Sequence, residues 1–458
     1  MISTNTLNKY LCKCAGTPSG EMFKEILFEN IDFARKQNYK NPMITYEDLN
    51  VRIPYVYRSN MRYSTIHLGQ RKLFLTELEF FNVIGPHYTK NKNQVLCIYA
   101  GAAPSNHTWL LSELFPRIKW LLIDPNVFDL TIDKSRTSHR DVPNDEIIHI
   151  TYEGKTTKDE NKNAKIKNIE DLSNLASYMI KTPARFTILQ DFMTDELADI
   201  LHELHLVYNI LFISDIRTLE KGCNFPSNYD IIWNSAMQFS WISRLKPDFY
   251  MVKYRTPYLN NVIVHPLKRH ENIFNYTKSH GIDFLNDYAK KRFTFLDGTI
   301  HIQCFHGSGS LESRLIGRGD VLKFKTIDML DFEERMFALR VNRGFAMYKN
   351  ENATRELFFD HCNDCAKENH LWKEYLKSTT SYKANNKELC ALIHKDKSNT
   401  VNVRDLVRML SIYTRPLNYM GGIHGRLFKL DEEFILVSCA LSTLIDIELS
   451  KHRIVDED

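Results

Sequence analysis

The chain has 458 residues, with 60 Lys+Arg against 56 Asp+Glu, a formal charge of +4 and 43% hydrophobic residues. That length exceeds one ordinary domain, so one extended domain with additions, or two domains, is expected. The near-balance of charge excludes binding to nucleic acid through bulk charge and leaves only a local patch for it.

The opening residues, MISTNTLNKYLCKC, lack the basic-then-apolar pattern of a signal peptide. The longest apolar run, FILVSCALSTLI (Phe434 to Ile445), is too short to cross a bilayer and reads as a buried helix. Nine cysteines without regular spacing point to a reducing compartment. The expectation is a soluble cytoplasmic protein without a membrane partner.

Residues 1–65 read as a prelude. GEMFKEILFENIDFARKQN has apolar residues at helical spacing, and VRIPYVYRSNMRY is extended and aromatic. GQRKLFLTELEFFNVIG is an amphipathic helix closed by glycine. QVLCIYAG as strand, SNHTWLLSELFP as helix and IKWLLID as strand make a βαβ unit, which predicts an α/β fold with a parallel sheet and helices on its faces. Residues 134–181 are hydrophilic and read as an insertion with a mobile surface loop around EGKTTKDENKNAKIKN. The sheet resumes with RFTILQDF, the helix TDELADILHELH and the strand YNILFISDIRT. NYDIIWNSAMQFSWISRL is a further helix, FYMVKYRTPY a further strand, and TIHIQCFHGSGSLESRLIG follows with a loop inside it. The main domain therefore covers 66–350, and the charged remainder, 351–458, is a mostly helical extension.

In such a sheet, ligands bind beyond the carboxyl ends of the strands. The turn AGAAPSN follows the first strand, and Asp124 ends the next one, about two dozen residues after Gly101. A carboxylate there can accept hydrogen bonds from both hydroxyls of an adenosine ribose. The turn lacks the full glycine fingerprint of a dinucleotide site, and Pro104 removes one N–H from any phosphate cradle. A donor without phosphate, such as S-adenosylmethionine, fits better, although any βαβ turn with an acid at its strand end has the same appearance.

Four ionisable residues fall at sheet-edge positions: Lys72 in the helix before the turn, Asp215 after LFIS, Lys253 in YMVKYR and Glu312 in GSLESR. Singly, each is an ordinary surface residue. Together they place two ammonium groups and two carboxylates around one point, which suits deprotonation of a ribose hydroxyl before attack on an electrophilic methyl. No metal enters that chemistry.

These motifs resemble the poxvirus cap-specific mRNA (nucleoside-2′-O-)methyltransferase and poly(A) polymerase regulatory (small) subunit family. GQRKLFLTELEF resembles its helix with glutamine and a first catalytic lysine, CIYAGAAPSNH its donor loop, and IKWLLID its ribose-binding strand. FTILQDFMTDE resembles the adenine-side strand, KYRTPY the segment with the second lysine and a cap-stacking aromatic, and DFEERMFAL the helix whose acid reads the cap. The resemblance implies a Rossmann-like S-adenosylmethionine-dependent methyltransferase sheet. It also implies Lys72, Asp215, Lys253 and Glu312 as the catalytic set, with Lys253 the base. Donor contacts would be Gln70, Tyr99, Gly101, Asp124, Phe192 and Met193. Cap contacts would be Tyr258, Glu333 and either Tyr55 or Tyr57. A cationic 7-methylguanine suits stacking between aromatics beside a carboxylate. Capped mRNA and a poly(A) polymerase catalytic subunit are the implied partners. The chain departs from the family at Ser105, where glycine is usual, at Asn126 in place of arginine, and at Asn260 in place of an acid.

Two other readings stay open. One is a catalytically silent RNA-binding subunit that stimulates poly(A) polymerase; the other is a ribosomal or transfer RNA 2′-O-methyltransferase, which would not need Tyr258 and Glu333. HCNDCAKENH and CALIH supply His361, Cys362, Cys365, His370, Cys390 and His394, but only one zinc-like pair occurs. RLKPDFYMVKYR with RLIGRGDVLKFK offers a basic strip for an RNA backbone beside the site.

Overall fold

The computed structural model describes residues 43–52, 54–55, 69–89, 94–130, 147–152, 165–219, 226–259, 270–304, 310–342, 363–385, 388–389 and 410. In chain order the first elements are α1 (Gly69–Ile84), β1 (Gln94–Ala100), α2 (Thr108–Leu114), β2 (Ile118–Ile123), β3 (Ile147–Tyr152), β4 (Lys165–Ile169), α3 (Leu175–Lys181), β5 (Phe186–Leu189) and α4 (Asp195–His202). There follow β6 (Tyr208–Ser214), α5 (Asn228–Leu245), β7 (Phe249–Tyr254), α6 (Glu271–Ser279), α7 (Phe284–Ala289), β8 (Arg292–Leu296), β9 (Thr299–His301), β10 (Ser313–Gly317), β11 (Phe324–Asp328), α8 (Met329–Asn342) and α9 (Asn363–Lys377).

Nine strands form one sheet in the order β4-β3-β5-β2-β1-β6-β7-β10-β9, and β8 and β11 form a separate pair. Strands β4 to β7 of that order run parallel, while β10 is antiparallel to β7 and to β9. The continuous apolar runs are explained by burial on both faces. In β1, Leu96, Ile98 and Ala100 enter one core with residues of α3, α4 and α5. Val95, Cys97 and Tyr99 enter the other with residues of α1, α2 and α9. Helices thus cover both faces, as expected. Chain order reverses at β1, with β2 on one side and β6 on the other. That switch point opens a crevice beyond the strands' carboxyl ends.

Local chemistry sets the helix ends. The Ser227 hydroxyl and the Asp230 carboxylate form a reciprocal cap at the start of α5, and Lys246 closes that helix in a left-handed conformation. The Thr194 side chain accepts from the Leu197 N–H at the start of α4.

Two stretches differ from their sequence reading. Residues 134–181 do not lie wholly outside the sheet, because β3 and β4 form one edge of it and α3 packs behind. β4 is the exposed edge, so its Lys-Ile-Lys-Asn-Ile sequence has a loop-like polarity. The centre of that hydrophilic stretch lies outside the described residues, as do residues 1–42 and the run 434–445.

Helix α1, expected to be amphipathic, is covered nearly all round: within 71–84 only Leu73, Asn82 and Val83 escape full burial. Its polar side is enclosed by α9 and by the chain around β9 and β10. Helix α9 therefore packs into the main core, through Leu371, Trp372 and Tyr375. No helix among the described residues is long and apolar enough to cross a membrane.

Candidate functional site

The four ionisable residues meet beyond the sheet's carboxyl edge. Lys253 lies near the end of β7, and β10 starts opposite it, so Arg314 is its cross-strand partner. The Lys253 ammonium is 3.0 Å from the Asp215 carboxylate and donates to the Asp215 carbonyl at 3.1 Å. Lys72, in the first turns of α1, is 3.2 Å from Glu312. Arg314, buried, joins the two pairs: it reaches Asp215 at 2.5 Å and Glu312 at 3.1 Å.

The network holds three cations and two carboxylates, so positive charge is in excess. Burial lowers the Lys253 ammonium below its ordinary value; Asp215 and Glu312 oppose this, and the Arg314 cation reinforces it. Burial would raise the Glu312 carboxyl, but Lys72, Lys253, Arg314 and Arg255 outweigh it and hold it well below the usual range. A buried lysine whose hold on its proton is weakened, beside fixed carboxylates, has the character of a proton-transfer group.

Arg255 and Arg314 entered the sequence reading only as ends of the basic strip, and Arg217 not as a candidate at all; Arg217 and Arg255 line a cleft with Lys253, Glu312, Asn234 and Gln238. The missed signal is a period of two: Asp215, Lys253 and Glu312 are each followed two residues later by arginine. In extended chain, residues i and i+2 share a side. The basic strip read from the sequence divides instead. β10 runs back from the site, which carries Arg318 to the opposite end of the sheet, where it pairs with Asp320. Lys325 pairs with Glu47.

The donor side centres on the turn after β1. Gly101 has φ of +77°, and a Cβ on it would stand 2.9 Å from the Ile216 nitrogen, in the adjoining β6 turn. Only glycine fits so close a backbone approach. Replacing Gly101 with alanine is therefore expected to cost about 1–3 kcal/mol of stability through the left-handed conformation alone, and to weaken donor binding further by parting β1 from β6. Calorimetric titration with the donor alongside thermal melting checks this, and unchanged affinity and melting would contradict it. Ser105 also takes a left-handed conformation, at φ of 62°, with its buried hydroxyl 2.8 Å from that of Thr108. Glycine would adopt that conformation without strain.

Asp124 stands at the end of β2, and burial raises its carboxyl above the ordinary value against the pull of the Asn126 hydrogen bonds. Its Oδ1 accepts from the Asn126 backbone and side-chain amides, each at 2.8 Å, and its Oδ2 accepts from the Ala103 N–H at 3.3 Å. Asn126 thus fastens the acid in place. Phe192 is two-thirds exposed, while Met193 is buried in the core below it. Asp191 orders this loop by accepting from the Phe192 N–H at 2.8 Å and from the Tyr152 hydroxyl of β3. Tyr99 does not face the crevice: its ring is buried in the core with α1 and α2, and burial, with Glu77 near it, pushes its hydroxyl up, so a donor would meet only its backbone. Gln70 lies in the first turn of α1, but its side chain is outside the described residues. A close-approach glycine, an acid at the next strand end and an exposed aromatic beside it fit an adenosine without phosphate.

Tyr55 and Tyr258 come together, their ring centroids 6.0 Å apart and tilted by 43°. The Phe337 ring meets Tyr55 edge-on at 5.1 Å, and the Arg255 guanidinium lies 5.5 Å from the Tyr258 ring centre. Glu333 is buried beside them, accepting from the Leu259 N–H at 3.3 Å, and burial raises its carboxyl above the ordinary value. A base between two rings needs a gap of about 7 Å, twice the carbon contact distance. The tyrosines must therefore part by about 1 Å to admit one. Tyr57 and Asn260 lie outside the described residues. So do His361, Cys362, Cys390, His394 and the Cys365 side chain, while His370 lines a cleft between α1 and α9. Among the described residues no group of three His, Cys, Asp or Glu side chains could hold a metal ion.

Fold and site together define a mostly parallel α/β protein with a largely buried network of charged side chains at the switch point of its sheet. Residues 38–150 and 166–265 match the family model described as the poly A polymerase regulatory subunit. The cap-specific mRNA (nucleoside-2′-O-)-methyltransferase of Fowlpox virus (strain NVSL) is 25% identical over 241 residues, which is 50% of this chain and 58% of that relative. The chain is thus related to a poxvirus cap methyltransferase and to poly A polymerase regulatory subunits, and the match spans little more than half of the relative's length.

Proposed function

We propose that this chain is a cap-specific mRNA 2′-O-methyltransferase on a Rossmann-like sheet, acting in the cytoplasm on the first transcribed nucleotide of capped mRNA. One observation carries the reading. Glu312 lies outside the segments that match the family model, yet it meets Lys72 and, through Arg314, joins Asp215 and Lys253. The meeting of these four side chains, one of them beyond the matched segments, is what supports the reading.

S-adenosylmethionine, held by the Gly101 turn, Asp124 and the Phe192–Met193 loop, would supply an electrophilic methyl group. Everything else falls to the chain's own side chains. Lys253, in its neutral form, accepts the proton of the ribose 2′-hydroxyl as that oxygen gains the methyl, and later releases it to solvent. Asp215 and Arg314 hold the amine in place. The Lys72–Glu312 pair fixes the opposite wall, so that catalysis comes mostly from positioning. Tyr55 and Tyr258 grip the 7-methylguanine, and its positive charge favours the ionised form of Glu333.

The test offers purified protein capped and uncapped RNAs of one sequence with labelled donor. Capped RNA is expected to be labelled in strong preference. Tyr258→Ala is expected to reduce that preference by about 10–100-fold, since stacking on one aromatic contributes about 1–3 kcal/mol. Equal labelling of both RNAs would exclude a cap reader. The family's description supports a second role as a partner of a poly(A) polymerase catalytic subunit, and co-purification with such a subunit tests it independently of methyl transfer.

A further inference from the structure

Helix α1 carries four buried charges, Arg71, Lys72, Glu77 and Glu79, and each has a partner from a different part of the chain. Lys72 pairs with Glu312, and Glu77 lies 2.9 Å from His107 of the donor turn. The other two are held by α9. Glu368 pairs with Arg71, and Lys367 reaches Glu79 at 2.7 Å while also donating to the Ile302 carbonyl. Glu79 further accepts from His301 at 2.8 Å. Asn82 donates to the Leu371 carbonyl at 2.9 Å, and the Phe74 and Trp372 rings lie 5.9 Å apart. Beyond α9, the Tyr382 hydroxyl donates to the Phe81 carbonyl, and the Ala384 N–H donates to the Leu114 carbonyl of α2.

We infer that α9 is a working part of the catalytic centre: Glu368 and Lys367 clamp α1 through Arg71 and Glu79, and so fix the angle at which Lys72 meets Glu312. Arg71 and Lys72 are neighbours, so the residue α9 grips and the residue at the site turn as one body. Side-chain ends lie about 5–6 Å from a helix axis, so a rotation of α1 by about 10° moves the Lys72 amine by about 1 Å. A displacement of that size can lower a rate by about 100-fold. Two buried pairs at Arg71 and Glu79, two helical turns apart, resist both rotation and tilt. Each is costly to break because a buried charge would lose its oppositely charged partner on α9. The segments that match the family model end at residue 265, well before α9, so this positioning role comes from the C-terminal part of the chain.

The kinetic consequence rests on the methyltransferase reading, whereas the geometric one does not. The experiment therefore reads both in the full-length protein. Glu368→Gln keeps the shape of the side chain and removes its charge; Asn82→Ala is a milder second variant; Lys377→Ala, on the exposed side of α9, is the control. Acylation of Lys72 by a lysine-directed reagent is followed by mass spectrometry, together with single-turnover methyl transfer and donor affinity. Glu368→Gln is expected to speed Lys72 acylation about tenfold and slow methyl transfer about 10–100-fold, with donor affinity and the acylation of exposed Lys278 unchanged. Asn82→Ala should shift both readouts in the same direction by a smaller factor, and it decides the matter if Glu368→Gln does not fold. Lys72 acylation equal to wild type in a folded variant overturns the inference. A wild-type protein that methylates no RNA contradicts the methyltransferase reading alone, and the acylation rates still decide the role of α9.

Discussion

Lys253→Ala is expected to slow methyl transfer by about 10²–10⁴-fold, the range a positioned proton acceptor contributes, with donor affinity close to wild type. The Lys253 amine binds its proton less tightly than an ordinary lysine. Burial and the Arg314 cation lower its affinity for a proton, while Asp215 and Glu312 keep it in line. The reactive form is the neutral amine, whose population grows with pH. The wild-type single-turnover rate should therefore climb in proportion to hydroxide and level off below the ordinary lysine value of 10.5. The alanine variant should lose that climb. Lys253→Arg should be as slow as alanine, because a guanidinium does not give up its proton near neutral pH. An arginine variant with the wild-type rate would mean that positive charge alone is required.

Arg314→Met is expected to damage stability and activity together. Its guanidinium is the link between Asp215 and Glu312, and it is itself buried. Without it, two carboxylates remain in the network with only the lysines to offset them. Removing one partner of a buried ionic group typically costs about 3–5 kcal/mol, which should appear as a lower midpoint of urea unfolding. Lys253 would then be held more firmly in its charged state, so methyl transfer should fall even in conditions where the variant is folded. An unchanged midpoint and rate would show that Arg314 contributes little to the network.

Much of the architecture was legible in the residues because buried parallel strands give unbroken apolar runs. QVLCIYAG, IKWLLID and ILFIS could hardly be anything else. The helix α5 was equally plain, since Ser227 and Asp230 announce its start. β4 was hidden by its place at the sheet edge, where exposed lysines replace apolar residues. Three of the four candidates were legible as residue types at or near strand ends and Lys72 as one in the first turns of a helix, but their linkage was not. Arg314 reads as a surface residue until β10 is set antiparallel to β7, which places it opposite Lys253. The burial of α1 was harder still to foresee. The partner of Arg71 lies 297 residues away, in a charged stretch with low local apolar content. A charge that will be buried and a charge that will be solvated look alike in sequence when the partner is so distant.

The central claim is methyl transfer to a ribose 2′-oxygen, assisted by Lys253. The most direct measurement offers labelled donor to two capped RNAs that differ in one atom, the 2′-oxygen of the first transcribed nucleotide, present in one and absent in the other. Label should enter the first RNA and remain with its first nucleotide after digestion, while the 2′-deoxy RNA stays unlabelled. Equal label in both, or label elsewhere in the transcript, would contradict the account.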